Sequence, residues 1–119
     1  MSRWIASTDE SLLYQSGLTM GEIRRGILQL GKTARQIALQ TWVDRDLRAR
    51  FVDRILPIDE LVADRWGWIS GQALAKGVHL PVIDGLLAAT TLHYDLTFVT
   101  RNTKDVLATG AVVFNPWQS

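Results

Sequence analysis

The stretch Leu80-Pro81-Val82-Ile83-Asp84-Gly85-Leu86-Leu87-Ala88-Ala89-Thr90-Thr91-Leu92 carries one carboxylate and no other charge in an otherwise mostly apolar run. An unpaired carboxylate is expensive to bury. The fold must therefore give Asp84 a helix to cap, a cation or donor to meet, or a metal to share with other acids. Two further acids stand where an apolar segment borders a helix start: Glu22 in Leu18-Thr19-Met20-Gly21-Glu22-Ile23-Arg24-Arg25-Gly26 and Asp105 in Val99-Thr100-Arg101-Asn102-Thr103-Lys104-Asp105. The expectation is that Glu22, Asp84 and Asp105 converge on a divalent metal.

The chain of 119 residues suits one domain, residues 1–119, with a core that needs no staples. At 47% hydrophobic and 21% charged residues it is too apolar for intrinsic disorder. Cysteine is absent, which excludes a disulfide framework and a thiolate metal site and leaves a cytoplasmic location as the default. No apolar run approaches the length of a bilayer span, so no membrane association is expected. A net charge of +1 gives no global case for nucleic-acid binding, and any such role must come from a local site.

Along the chain, residues 12–16 read as a strand. Thr19-Met20-Gly21-Glu22 has the spacing of a capping box that opens a helix over about 20–30. Gly31 suits a left-handed helix end, and Thr33 can cap a second helix running to about Phe51, with Ile37, Trp42, Leu47 and Phe51 along its inward face. A short apolar run, residues 54–59, holds Pro57 at a strand end or edge, and Asp59 can cap a helix over 60–76 that Gly77 closes. That helix presents Leu61, Val62, Trp66, Ile69, Ala73 and Leu74 at helical spacing, with its tryptophans read as core or interface rather than cofactor-stacking groups. Residues 82–93 form the helix that carries Asp84, starting after Pro81. Residues 96–100 are a strand, 101–109 a polar loop or single helical turn, and 111–115 a last strand. Strands alternating with helices predict an α/β fold with a largely parallel sheet.

Helix starts at the carboxyl ends of parallel strands gather at one edge, where open α/β folds bind ligands. Carboxylates collected there suit hard ions such as Mg²⁺ or Mn²⁺, and phosphodiester hydrolysis is the matching chemistry. Thr100 and Asn102 could order the metal's surroundings, while Arg24, Arg25, Arg101 and Lys104 could contact phosphates. Each acid also has a plainer reading: Glu22 as the acid of a capping box, Asp105 as the acid three residues after Asn102. Arg24 and Arg25 read equally well as solvated surface charges. His79 and His93 have no helical pairing and no nucleophile partner.

Thr19-Met20-Gly21-Glu22-Ile23-Arg24-Arg25-Gly26-Ile27, the 80–90 segment and Val99-Thr100-Arg101-Asn102-Thr103-Lys104-Asp105, ending in Asn115-Pro116-Trp117, together resemble the PIN-domain family, in particular its VapC and FitB toxin branch. The resemblance covers almost the whole chain in order. It implies a three-layer α/β fold with a mostly parallel sheet flanked by helices, and a Mg²⁺- or Mn²⁺-dependent ribonuclease. It also implies the toxin half of a toxin–antitoxin pair, homodimeric and neutralised by a small antitoxin protein. By the same resemblance Asp84 is the main metal-binding acid, Glu22 and Asp105 complete the acidic set, and Thr100 and Asn102 take the supporting polar positions. Val106 stands where phenylalanine is common.

The family's first strand, the central one of its sheet, ends in Asp-Thr-Asn. This sequence has no such motif, and Trp4-Ile5-Ala6 resembles the end of the helix that follows it. The expectation is a fold without its first strand, with poor or absent metal binding and cleavage. The alternative function is a catalytically inactive protein that still binds an antitoxin-like partner.

Overall fold

The computed structural model describes residues 10–100, 106–107 and 109–115. The chain divides between Pro57 and Ile58 into two units.

In the unit of residues 10–57, a 3₁₀ turn, Glu10–Leu12, precedes strand β1 (Gln15–Ser16). The expected strand over 12–16 is thus shorter, because Leu12 belongs to the turn. β1 pairs in parallel with β2 (Ile55–Leu56), Gln15 opposite Ile55 and Ser16 opposite Leu56. Helix α1 (Gly17–Leu28) begins directly after β1, and the Ser16 hydroxyl accepts from the Leu18 N–H at 3.0 Å. This corrects the expected capping box: Ser16 satisfies an orphan amide earlier in the chain, so Thr19 and Glu22 lie inside the helix. Gly31 takes a φ of +72°, open to glycine without steric cost, and Thr33 accepts from the Gln36 N–H at 3.1 Å, as expected for a cap.

Helix α2 spans residues 34–50 with a π-helical segment, Trp42–Leu47, between α-helical Ala34–Thr41 and Arg48–Arg50. Val43, Leu47 and Phe51, each four residues apart, are buried with Met20 and Ile27 of α1, and Leu13, Ile23, Leu39 and Ile55 pack around them. Residues spaced by four share one face of a helix, so the three side chains are presented to α1 together. The inward face expected through Ile37 and Trp42 is therefore corrected: Ile37 is 64% exposed and Trp42 39% exposed. Arg24 of α1 donates to Gln40 at 3.1 Å and to Asp44, whose carboxylate also lies 3.7 Å from Arg48. Arg54 donates to the Leu13 and Arg50 carbonyls and lies over the Phe51 ring, tying β2 to both ends of the unit.

In the second unit, Asp59 caps helix α3 (Glu60–Ala75) by accepting from the Val62 N–H at 3.0 Å, and Gly77 turns the chain with a φ of +76°. Val62 is buried while Trp66, Ile69 and Ala73 are half-buried, but Leu61, Leu74 and Trp68 are exposed, which narrows the inward face expected of this helix. Helix α4 (Val82–His93) packs along α3. Strands β3 (Thr97–Val99) and β4 (Val112–Phe114) pair in parallel, Phe98 opposite Val113, and the Thr100 N–H continues the ladder to the Phe114 carbonyl. Ala88, Phe98, Val106 and Ala111 form the buried cluster beneath them. Both strand pairs are parallel, as the alternation of strands and helices requires.

At the α3–α4 crossing, a Cβ on Gly85 would stand 2.9 Å from Trp66 Cδ1 and 3.1 Å from Leu80 Cδ2, so the helix approaches the indole more closely than any side chain allows. Gly85→Ala should lower stability by about 1–3 kcal/mol, the usual range for overpacking, read as a fall in Tm; an unchanged Tm would mean that Trp66 moves aside at no cost. A second expectation concerns acid. The hydrogen bond from Arg24 holds the Asp44 carboxyl below its usual value. A carboxylate depressed in the folded state adds stability that is complete above its unfolded value of about 4 and is lost as pH falls through the lowered folded value. The stability difference between wild type and Asp44→Asn should shrink accordingly on acidification, and a difference constant from neutral pH to pH 2 would refute the pairing.

Candidate active site

In the second unit the polar groups gather by topology. Tyr94 to Leu96 turn the chain after α4, with the Tyr94 N–H on the Thr90 carbonyl at 3.1 Å and the Leu96 N–H on that of Thr91 at 2.7 Å. β3 then runs back along the helix, and α4 contacts it. This return carries Thr100, just past β3, toward the end of α4 that holds Asp84. Asn115 follows β4 beside it in the parallel register, so Asp84, Thr100 and Asn115 share the carboxyl end of the β3–β4 pair.

Asp84 is the third residue of α4 and half-buried. Pro81 occupies the cap position and makes no side-chain cap hydrogen bond, so Asp84 is not the N-cap residue of this helix. Its charge lies in the first turn, where the helix dipole favours an anion. Pro81 holds the chain extended at φ −55°, ψ 138° before the helix begins, and Gly85 seats the next turn against Trp66. The carboxylate therefore sits on a fixed backbone. Gly85 was not singled out from the sequence, since a glycine inside a helix signals a close approach only once its neighbour is known.

Glu22 belongs to the other unit. It lies in the second turn of α1, which follows β1 without a connecting loop, and its side chain is exposed. Of the flanking cations, Arg25 is exposed, whereas Arg24 is half-buried and bonded to Gln40 and Asp44, a structural use that neither sequence reading of it contained. Asp105, Asn102, Arg101 and Lys104, like Trp4-Ile5-Ala6, lie outside the described residues. Among the described residues no three His, Cys, Asp or Glu side chains gather as a group that could hold a metal. The candidate donors are carboxylate oxygens with neither thiolate nor imidazole, a set whose chemistry fits a hard divalent cation. His79 is exposed, and His93 stacks edge-on against Tyr94, ring centroids 4.8 Å apart.

Among the described residues no helix is long and apolar enough to cross a membrane. No family model matches the sequence. Similarity to individual proteins is extensive. Toxin FitB of Neisseria gonorrhoeae is 33% identical over 114 residues, which cover 96% of this chain and 82% of FitB. VapC ribonuclease Y4jK of Sinorhizobium fredii is 27% identical over 115 residues, 97% of this chain and 82% of that protein. The crystal structure of FitAcB from Neisseria gonorrhoeae superposes with a TM-score of 0.94 and 32% identity over 99% of this chain and 85% of that one, bearing out the α/β fold expected from the sequence. With one-third identity to FitB along nearly its whole length and the same fold, the chain belongs to the VapC/FitB-like family of PIN-domain toxins.

Proposed function

We propose that this protein is a Mg²⁺- or Mn²⁺-dependent endoribonuclease acting in the cytoplasm as the toxin of a type II toxin–antitoxin module, a homodimer restrained by a small antitoxin protein. Family membership supports nuclease chemistry, since one relative is named a VapC ribonuclease and another a toxin. The observation that carries the finer reading is Asp84, a half-buried carboxylate in the first turn of an apolar helix whose cap position Pro81 takes, toward the carboxyl end of a parallel strand pair.

Asp84, Glu22 and Asp105 are the carboxylates that would hold the ion. When bound, it supplies Lewis-acid polarisation of the scissile phosphate and acidifies a water. One of the three carboxylates orients the attacking water and accepts its proton, a role open to a side chain within hydrogen-bond reach. Thr100 and Asn102 fix the acids through neutral hydrogen bonds, and Arg25, Arg101 and Lys104 draw in the phosphates. Arg24 is left out of this set because its guanidinium braces α1 against α2.

Asp84→Asn should lower RNA cleavage by about 100-fold or more, the least that loss of an acid–base group commonly costs, while Tm stays near that of the wild type. Glu22→Gln and Asp105→Asn should act in the same direction, and Mg²⁺ titration calorimetry should show weaker binding in each variant. Chelation by EDTA should stop cleavage, and added Mg²⁺ or Mn²⁺ should restore it. Cleavage and growth arrest that survive the whole acid series, with antitoxin binding intact, would instead make the protein an inactive binding partner.

A further inference from the structure

Charge is divided unevenly along this chain. Residues 10–57 hold eight Lys and Arg against five Asp and Glu, and the remainder holds five against seven, so the near-neutral total conceals one basic unit. Within that unit a shallow groove of ≈ 580 Å³ lies on the outer side of α2, lined by Trp42, Arg45, Asp46, Leu47, Ala49 and Arg50. Leu47 is the buried floor, and the others are exposed. Trp42 stands one position before the buried Val43, about 100° around the helix from it, and is 39% exposed in a groove that Arg45 and Arg50 also line.

We propose that this groove, which none of the candidate acids among the described residues lines, binds a single-stranded segment of RNA; the choice of RNA rests on the ribonuclease reading above. An indole face accepts any base by stacking, and the flanking guanidinium groups meet the backbone phosphates, the combination by which single strands are held without sequence preference. Asp46 also lines the groove, where a base amino group can donate to its carboxylate. Asp44, the other acid of this helix, is turned to Arg24 and Arg48 and does not line the groove.

The test measures binding of the full chain to a short labelled single-stranded RNA by fluorescence anisotropy in EDTA, so that no cleavage is required. Trp42→Ala should weaken binding by roughly 10-fold, within the range of a lost base stack, and Trp42→Phe should retain most of the affinity. Arg45→Ala with Arg50→Ala should reduce the slope of log affinity against log salt by roughly 1.4, at ~0.7 for each single-strand phosphate contact. Trp68→Ala, which removes a still more exposed indole from α3, should change nothing, and Asp84→Asn should bind RNA like the wild type while failing to cleave it. Wild-type affinity in the Trp42→Ala and double arginine variants would overturn the proposal, as would an equal loss in Trp68→Ala. Loss of antitoxin binding in the groove variants with RNA affinity unchanged would overturn it in favour of a protein interface. Circular dichroism on each variant confirms that the fold is retained, and Trp42→Phe keeps the test decisive if the alanine form unfolds.

Discussion

The missing side chain of Gly85 sets how closely α4 lies on α3. Trp66 fills the space that a methyl group would need, and the helix is held against the indole through its own backbone. Interiors at crystal-like density transmit such a contact to their neighbours with little give. The neighbour that matters is Asp84, one residue earlier, whose carboxylate is presented from a turn that cannot shift without disturbing the indole. Among the described residues the buried Trp66 Nε1 finds no hydrogen-bond partner, a cost the packing must offset.

Around this crossing, topology gathers the polar groups. A helix that turns straight back into a strand must bring the end of the strand toward its own beginning, so Thr100 is carried back toward the end of α4 that holds Asp84, sixteen positions earlier. Parallel pairing then adds Asn115 beside Thr100. In the other unit β1 runs directly into α1, which carries Glu22 just past the strand's end. Both units thus present polar side chains at the carboxyl ends of parallel strands, for the same reason: chain direction fixes which end a following or preceding helix must begin at.

α2 answers a different demand. Its buried residues repeat every four positions, the spacing that keeps side chains on one face of a helix. A π segment covers Trp42–Leu47, and the Arg24 bridge to Asp44 anchors α1 to that widened stretch. A face drawn through Ile37 and Trp42, five positions apart, turns about 140° around a helix, and it misses the Val43, Leu47 and Phe51 stripe for that reason.

By itself the sequence determined the kinds of element and their order. Thr33, Asp59, Gly31, Gly77 and Pro81 act on their own backbones, and such local rules need no knowledge of what lies across the fold. It also singled out Asp84, because a lone carboxylate in an apolar run is conspicuous from composition alone. Tertiary structure alone decided that Ser16 rather than Thr19 caps α1, since the cap falls wherever the strand ends, and that Arg24 serves Asp44 twenty positions away. It alone decided which tryptophans are covered, because burial is a property of what packs opposite. The pitch of α2 and the need for glycine at position 85 belong with these: both answer to a neighbouring surface that no stretch of sequence displays.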